Sequence, residues 1–258
     1  MVGEFTTTEQ DGHVLVVTIN RPERMNALHP PANAELGAIF DMFEANDDLW
    51  VAIITGAGDR AFSAGNDLVY QAQGHPKWYA PQGFGGLTNR HDRAKPVIAA
   101  VNGVAMGGGF EVALACDMII ASENARFALP EPRVGLAALA GGVHRLPRQI
   151  GLKHAMGMIL TGRHVPAAEG KELGFVNEVV PQGEALAAAK RWAAMILECS
   201  PVSVRTSLDV VRRGLEEADL ETAMKAPYAS VDALRKSQDF IEGPKAFAEK
   251  RKPNWTGK

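Results

Sequence analysis

Three short runs restrict this chain more than any other feature: Trp50-Val-Ala-Ile-Ile-Thr55, Val97-Ile-Ala-Ala-Val101 and Met118-Ile-Ile-Ala121. None alternates apolar with polar residues, so none reads as a strand with one face in water. Such runs read as strands covered on both faces, the setting of a parallel sheet between helices. A fourth run, Val14-Leu-Val-Val-Thr-Ile19, is β-branched and stops at Asn20-Arg21-Pro22, a turn signal. Between these runs, Leu36, Ile39, Phe40 and Phe43 keep the i, i+3, i+4, i+7 spacing of one helix face, and glycines open a second helix from about Gly109 to Cys116. Strands alternating with helices predict an α/β layer architecture with parallel pairing.

Beyond residue 183 the pattern turns helical. Leu186, Ala189, Trp192, Ala193 and Ile196 keep helical spacing. Ser200-Pro201 then reads as an N-cap with proline at the first helical position, followed by a stripe of Val204, Leu208, Val211 and Leu215. Helical patterns continue over 220–230 and 237–250. The expected organisation is a core over 1–183 and a helical section over 184–258 whose stripes need other surfaces to cover them. The 258 residues carry 27 Lys and Arg against 30 Asp and Glu, a net charge of −3. That balance gives no reason to expect nucleic-acid binding. Two cysteines, Cys116 and Cys199, make no disulfide scaffold. The first residues lack a basic leader and no apolar run is long enough for a membrane span, so a soluble cytoplasmic protein is expected.

Some motifs tempt and fail. Gly56-Ala-Gly58-Asp-Arg-Ala61 follows a strand as a dinucleotide-binding turn would, but turn residues follow it where a long helix should open, and no acid stands between Asp67 and Asp92. Ala61-Phe-Ser63-Ala-Gly65 lacks the first glycine of a nucleophile elbow and lies past the strand end. No H-E-x-x-H or C-x-x-C supports a metal site.

Chemistry concentrates in two later segments. In Met106-Gly107-Gly108-Gly109-Phe110-Glu111, three glycines open a helix with unshielded N–H groups at its positive end, and Glu111 follows among apolar neighbours. A carboxylate there is costly unless paired or used, and burial raises its pKa. In Leu129-Pro130-Glu131-Pro132, prolines on both sides keep Glu131 out of a regular helix. Alone, each segment also reads blandly, as a helix-start acid and a surface-turn acid. Together, two acids and Gly-bearing turns suit reversible proton transfer beside a carbonyl, with N–H groups holding an enolate-like oxygen.

With these segments in view the chain resembles the crotonase, or enoyl-CoA hydratase/isomerase, superfamily over nearly its whole length. The resemblance rests on Asn20–Leu28, Ile54–Leu68, Lys95–Gly103, Gly107–Asp117, Pro130-Glu131 and the tail Glu249–Trp255, in that order. It implies a stack of ββα units with a helical C-terminal section for trimers or dimers of trimers. It also implies that Glu111 and Glu131 are the catalytic acids, and that the Asn66 and Gly108 N–H groups form an oxyanion hole. Ala64, Asp67, Leu68, Leu139 and Lys250 would contact substrate. Coenzyme A would be a substrate handle, with no resident cofactor and no metal. The implied reaction is hydration of a 2,3-enoyl-CoA. Moving a double bond between C3 and C2, or other acyl-CoA chemistry of the superfamily, is the first alternative, and a non-catalytic acyl-CoA- or RNA-binding protein the second.

The sequence departs from the resemblance in places. Ala138-Leu139-Ala140-Gly141-Gly142 stands where family hydratases show Pro-Gly-x-Gly-Gly, which would narrow the acyl end of the pocket. Asn66 replaces a small apolar residue. The stretch 69–90, with Trp78, Tyr79 and Phe84, is idiosyncratic and reads as either substrate-shaping or simple loop packing.

Overall fold

A computed structural model describes residues 3–74 and 80–258. In chain order the elements are β1 (Thr6–Asp11), β2 (Val14–Ile19), α1 (Pro30–Ala45), β3 (Val51–Gly56), β4 (Ala61–Ser63), α2 (Leu68–Ala72), β5 (Val97–Val101) and β6 (Val104–Met106). Next come α3 (Gly108–Ala115), β7 (Met118–Ser122), β8 (Arg126–Ala128), α4 (Gly142–Gln149), α5 (Leu152–Thr161), β9 (Val165–Pro166), α6 (Ala167–Leu173) and β10 (Glu178–Val180). Helices α7 (Ala185–Leu197), α8 (Pro201–Gly214), α9 (Leu220–Lys225), α10 (Ala229–Lys236) and α11 (Gln238–Ala248) complete the chain. Trp78 and Tyr79 lie outside the described residues.

The all-apolar runs are central strands, as their composition requires. One sheet has the order β1-β2-β3-β5-β7-β10, antiparallel at β1–β2 and parallel elsewhere. Every residue of β3 and β5 is buried. Alternation still operates inside this burial. Leu15, Val17, Ala52, Ile54, Val97 and Ala99 face one core with Phe40 and Phe43 of α1 and Phe110 of α3. Val14, Val16, Val51, Ile53, Ile98 and Ala100 face a second, whose far wall is Ala185, Ala188, Ala189 and Ala193 of α7. Alanine at each inward position of α7 lets the helix lie close on a branched sheet surface. Thus α7, although it opens the 184–258 section, packs on the sheet.

A second sheet, β4-β6-β8-β9, is built from strands of two or three residues. Each long strand from β3 to β7 runs through a short turn into one of these: β3 into β4, β5 into β6, β7 into β8. A helix, or a 3₁₀ turn over Glu131–Val134, follows each short strand. The repeated unit is therefore long strand, short strand, helix, a ββα stack. Two side-chain amides, buried Asn26 and half-buried Asn102, fasten its turns. Asn26 donates to the Ala57 and Ala61 carbonyls at 2.9 and 2.7 Å, and Asn102 accepts from the Gly56 N–H and donates to the Gly56 and Gly58 carbonyls. The G-x-G-x-x-A stretch is this inter-sheet turn, with its N–H and C=O groups used internally.

Beyond α7 an ion-pair cluster also ties the helical section to the core. Arg93, almost fully buried, pairs with Asp117 at 2.6 Å, and Arg212 of α8 reaches the same carboxylate at 2.5 Å while donating to the Arg93 carbonyl. Burial opposes ionisation of Asp117, yet the two guanidiniums outweigh it and hold its carboxyl below the usual range. Ser200 caps α8 by accepting from the Ser203 N–H, as the Ser-Pro signal predicts. Among the described residues no helix is long and apolar enough to cross a membrane.

Candidate active site

The site arises where three consecutive units end. Strands β4, β6 and β8 are adjacent and parallel, with Ala61 opposite Val104 and Met106 opposite Ala128. The residues just past their C-terminal ends therefore converge: Asn66 after β4, Gly108 after β6, Glu131 after β8. Glu111 joins them from the first turn of α3. These four residues line a cavity of about 510 Å³, with Gln71, Phe84, Thr88, Leu136 and Leu139 among the other walls. That volume suits a small-molecule site.

Two glycines make the convergence possible. Gly65 has φ +87°, and a Cβ there would stand 2.6 Å from the Met106 carbonyl and 2.8 Å from the Gly108 nitrogen, so the two turns lie in contact. Gly107 has φ +52°, and a Cβ there would stand 2.9 Å from a Glu131 carboxylate oxygen. The neighbouring N–H groups are mostly engaged: Gly65 donates to Ser63 Oγ, Asp67 to the Leu28 carbonyl and Gly107 to the Ala128 carbonyl. Among the described residues no acceptor takes the N–H of Asn66 or of Gly108. Two unclaimed main-chain donors, one of them at the start of α3, thus border the cavity.

The carboxylates are set differently. Glu111 is only 3% exposed, and its Oε1 accepts a 2.8 Å hydrogen bond from the Gly142 N–H, the first of α4. Burial is the main influence and pushes its pKa up to about 7, assisted by the nearby Glu131 charge and opposed by the N–H groups of Gly142 and Ala140. Glu131 is half-buried on its 3₁₀ turn. Its Oε2 is buried with no hydrogen-bond partner, and burial raises its pKa as well. An unpartnered buried carboxylate oxygen on a residue that lines a cavity is poised for a proton. The arrangement can take a proton from a small molecule, give one to it, and hold an oxygen between two N–H groups. Among the described residues no cluster of three or more His, Cys, Asp and Glu is placed to hold a metal.

The model of the enoyl-CoA hydratase/isomerase family matches residues 9–258. The chain belongs to that family. It is an enoyl-CoA hydratase-like enzyme with the crotonase fold. It is 41% identical over 255 residues to a carnitinyl-CoA dehydratase of Escherichia coli (strain K12), covering 96% of this chain and 97% of that one. An enoyl-CoA hydratase structure from Mycobacterium tuberculosis H37Rv superposes with TM-score 0.94 at 37% identity, covering 99% of this chain and 100% of that one. A carnitinyl-CoA hydratase structure from Mycobacterium avium covers 100% of both chains, with TM-score 0.79 and 39% identity.

The positions expected at the site divide into two groups. Glu111, Glu131, Asn66, Gly108 and Leu139 line the cavity. Ala64, Asp67, Leu68 and Lys250 do not. Ala64 donates its N–H to the Met25 carbonyl, Leu68 is exposed on α2, and Lys250 follows α11 with φ +53°. Asp67 is buried and pairs with Arg21 at 3.0 Å. At the departure from the family turn, Ala138 is buried while the Leu139 side chain is exposed and lines the cavity. Phe84 lines it too. Gln71, Thr88 and the Gly142 N–H are further contributors outside the positions that the motifs predict. The Gly141-Gly142 pair at the start of α4 is the sequence signal for the last, since a helix starting there aims its first N–H outward.

Proposed function

We propose that this enzyme is a hydro-lyase that reversibly adds water across the 2,3 double bond of an enoyl-CoA thioester. The observation that carries the reading is the meeting, in one cavity, of two acids with burial-raised pKa values and two unclaimed main-chain N–H groups. The thioester oxygen binds between Asn66 and Gly108, and each donor contributes roughly 3–4 kcal/mol once charge develops there. Glu111 takes a proton from water as the water oxygen bonds to C3. The double-bond electron pair moves through the enolate to C2, where Glu131 delivers its proton. Solvent returns a proton from Glu111 to Glu131. Moving a double bond needs mainly one acid, so the held and tuned Glu111 favours hydration.

Coenzyme A acts here as the handle of the substrate, and no resident cofactor is required. Assembly as a trimer or a dimer of trimers belongs to the same proposal. It is supported by large apolar side chains left exposed on the helical section, including Leu215, Leu220, Met224 and Phe247. A cytoplasmic location is supported by two unpaired cysteines, buried Cys116 and exposed Cys199.

The test follows the loss of conjugated thioester absorbance with crotonyl-CoA, with Glu131→Gln beside it. Loss of signal that vanishes in the variant is expected, and equal rates in both proteins would remove Glu131 from the mechanism. Carnitinyl-CoA belongs in the substrate panel, because relatives at 41% and 39% identity are named for it. Sedimentation of a stable monomer would contradict the assembly.

A further inference from the structure

Resting on the hydratase reading, we infer that Arg21 and Asp67 are positioning residues that set the aim of the Asn66 N–H through a buried ion pair behind the oxyanion turn. Neither member of the pair lines the cavity. Asp67 is 7% exposed and Arg21 11%, with 3.0 Å between the guanidinium and the carboxylate. Phe5 lies over the guanidinium at 5.7 Å from ring centre, and His29 meets Tyr70 edge-on beside it. Most of both charged groups is therefore shielded from water.

Asn66 sits inside a ladder of bonds that this pair closes. The Leu28 N–H donates to the Gly65 carbonyl at 2.7 Å, and the Asp67 N–H donates back to the Leu28 carbonyl at 3.1 Å. Leu28 thus grips the residues on each side of Asn66 and leaves the Asn66 N–H free. Arg21 anchors the Leu28 strand by donating to the Ala27 carbonyl at 2.5 Å, while its own N–H donates to Asn26 Oδ1 at 3.0 Å. Asp67 anchors the other strand, since its Oδ1 caps α2 by accepting from the Tyr70 N–H at 3.0 Å. One ion pair therefore joins the two segments whose separation determines where the Asn66 N–H points. Such a bond acts at a distance from substrate, so its removal weakens the hold on the developing enolate oxygen more than the hold on the bound ester.

The test uses Asp67→Asn, which keeps an oxygen for the Tyr70 N–H, and Arg21→Met. With crotonyl-CoA, each variant is expected to lose kcat by roughly 10- to 100-fold, with KM changed less than about threefold. The double variant should lose little more than either single one. A second reading uses acetoacetyl-CoA, whose bound enolate absorbs in the near ultraviolet. The bound enolate fraction is expected to fall in both variants, with melting temperature recorded for each. Variants that melt earlier yet keep parental kcat per folded site and parental enolate signal would overturn the inference, leaving the pair a purely structural role. If the parent enzyme hydrates no enoyl-CoA, the hydratase reading fails by itself, while the enolate signal still decides whether the pair aims the N–H.

Discussion

Replacing Glu111 by Gln is expected to stabilise the fold while removing the reaction, and the gain should depend on pH in a calculable way. Glu111 has an ordinary pKa of 4.5 in the unfolded chain and about 7 in the fold, where burial outweighs the Gly142 N–H. Between these values the folded protein binds more protons than the unfolded chain, so stability falls as pH rises through the window and levels off above 7. At 1.36 kcal/mol per pH unit, the gap between 4.5 and about 7 amounts to about 3 kcal/mol. Glutamine keeps an oxygen for the Gly142 N–H and carries no charge to desolvate. The variant should therefore be about 1 kcal/mol more stable than the parent at pH 5 and about 3 kcal/mol more stable at pH 8.5. Hydration should fall by roughly 10²- to 10⁴-fold. Urea unfolding of both proteins at the two pH values, at equal protein concentration, measures the difference. An advantage that stays constant with pH, or a parent that gains relative to the variant as pH rises, would refute the argument that burial dominates at Glu111.

Further outcomes follow from other parts of the molecule. In the proposed mechanism the productive state holds one proton between Glu111 and Glu131, so kcat/KM should decline above about pH 7 as that last proton leaves; a profile flat to pH 9 would contradict it. A Cβ on Gly109 would meet the Ser63 carbonyl at 2.2 Å, backbone against backbone, so Gly109→Ala should lower stability by about 3 kcal/mol or more; an unchanged denaturation midpoint would show that the two turns can separate. Arg212→Ala removes one guanidinium from Asp117 and loosens α8 from the core, at a cost of about 1–3 kcal/mol. Faster amide exchange confined to the C-terminal helices is the expected sign, and exchange spread evenly over the sheet would count against it.

How much of this was legible beforehand depended on whether a feature repeats in sequence. Central strands such as Val97–Val101 could be read because burial on both faces leaves no polar residue in them. Strand β1, Thr6-Thr-Thr-Glu-Gln-Asp11, is an edge strand with its outer half exposed, and nothing apolar betrays it. Strands β4, β6 and β8 have three residues each, too few for any period to register, yet their ends carry the site. Glu111 stood out because its neighbours are apolar, and Glu131 because prolines flank it. The role of Asp67 was hidden because its partner, Arg21, lies far away in the chain, and only the fold brings the two within 3.0 Å. The Gly142 N–H belongs to the backbone, and its one mark in the sequence is the Gly141-Gly142 pair.

That two of the site's contributions come from main-chain nitrogen has a consequence for how such a molecule can change over generations. A codon change can erase a carboxylate in one step, but no side chain supplies the Asn66 or Gly108 N–H, and only proline or a substitution that bends the chain removes them. Inheritance thus separates the two halves of the site. On the proposed mechanism, grip on a thioester oxygen descends with the fold, while the choice of what happens to the held molecule rides on a few exchangeable side chains. Asn66 itself illustrates this freedom, since its side chain bonds to Gln71 at 2.6 Å while its N–H stays available to the cavity.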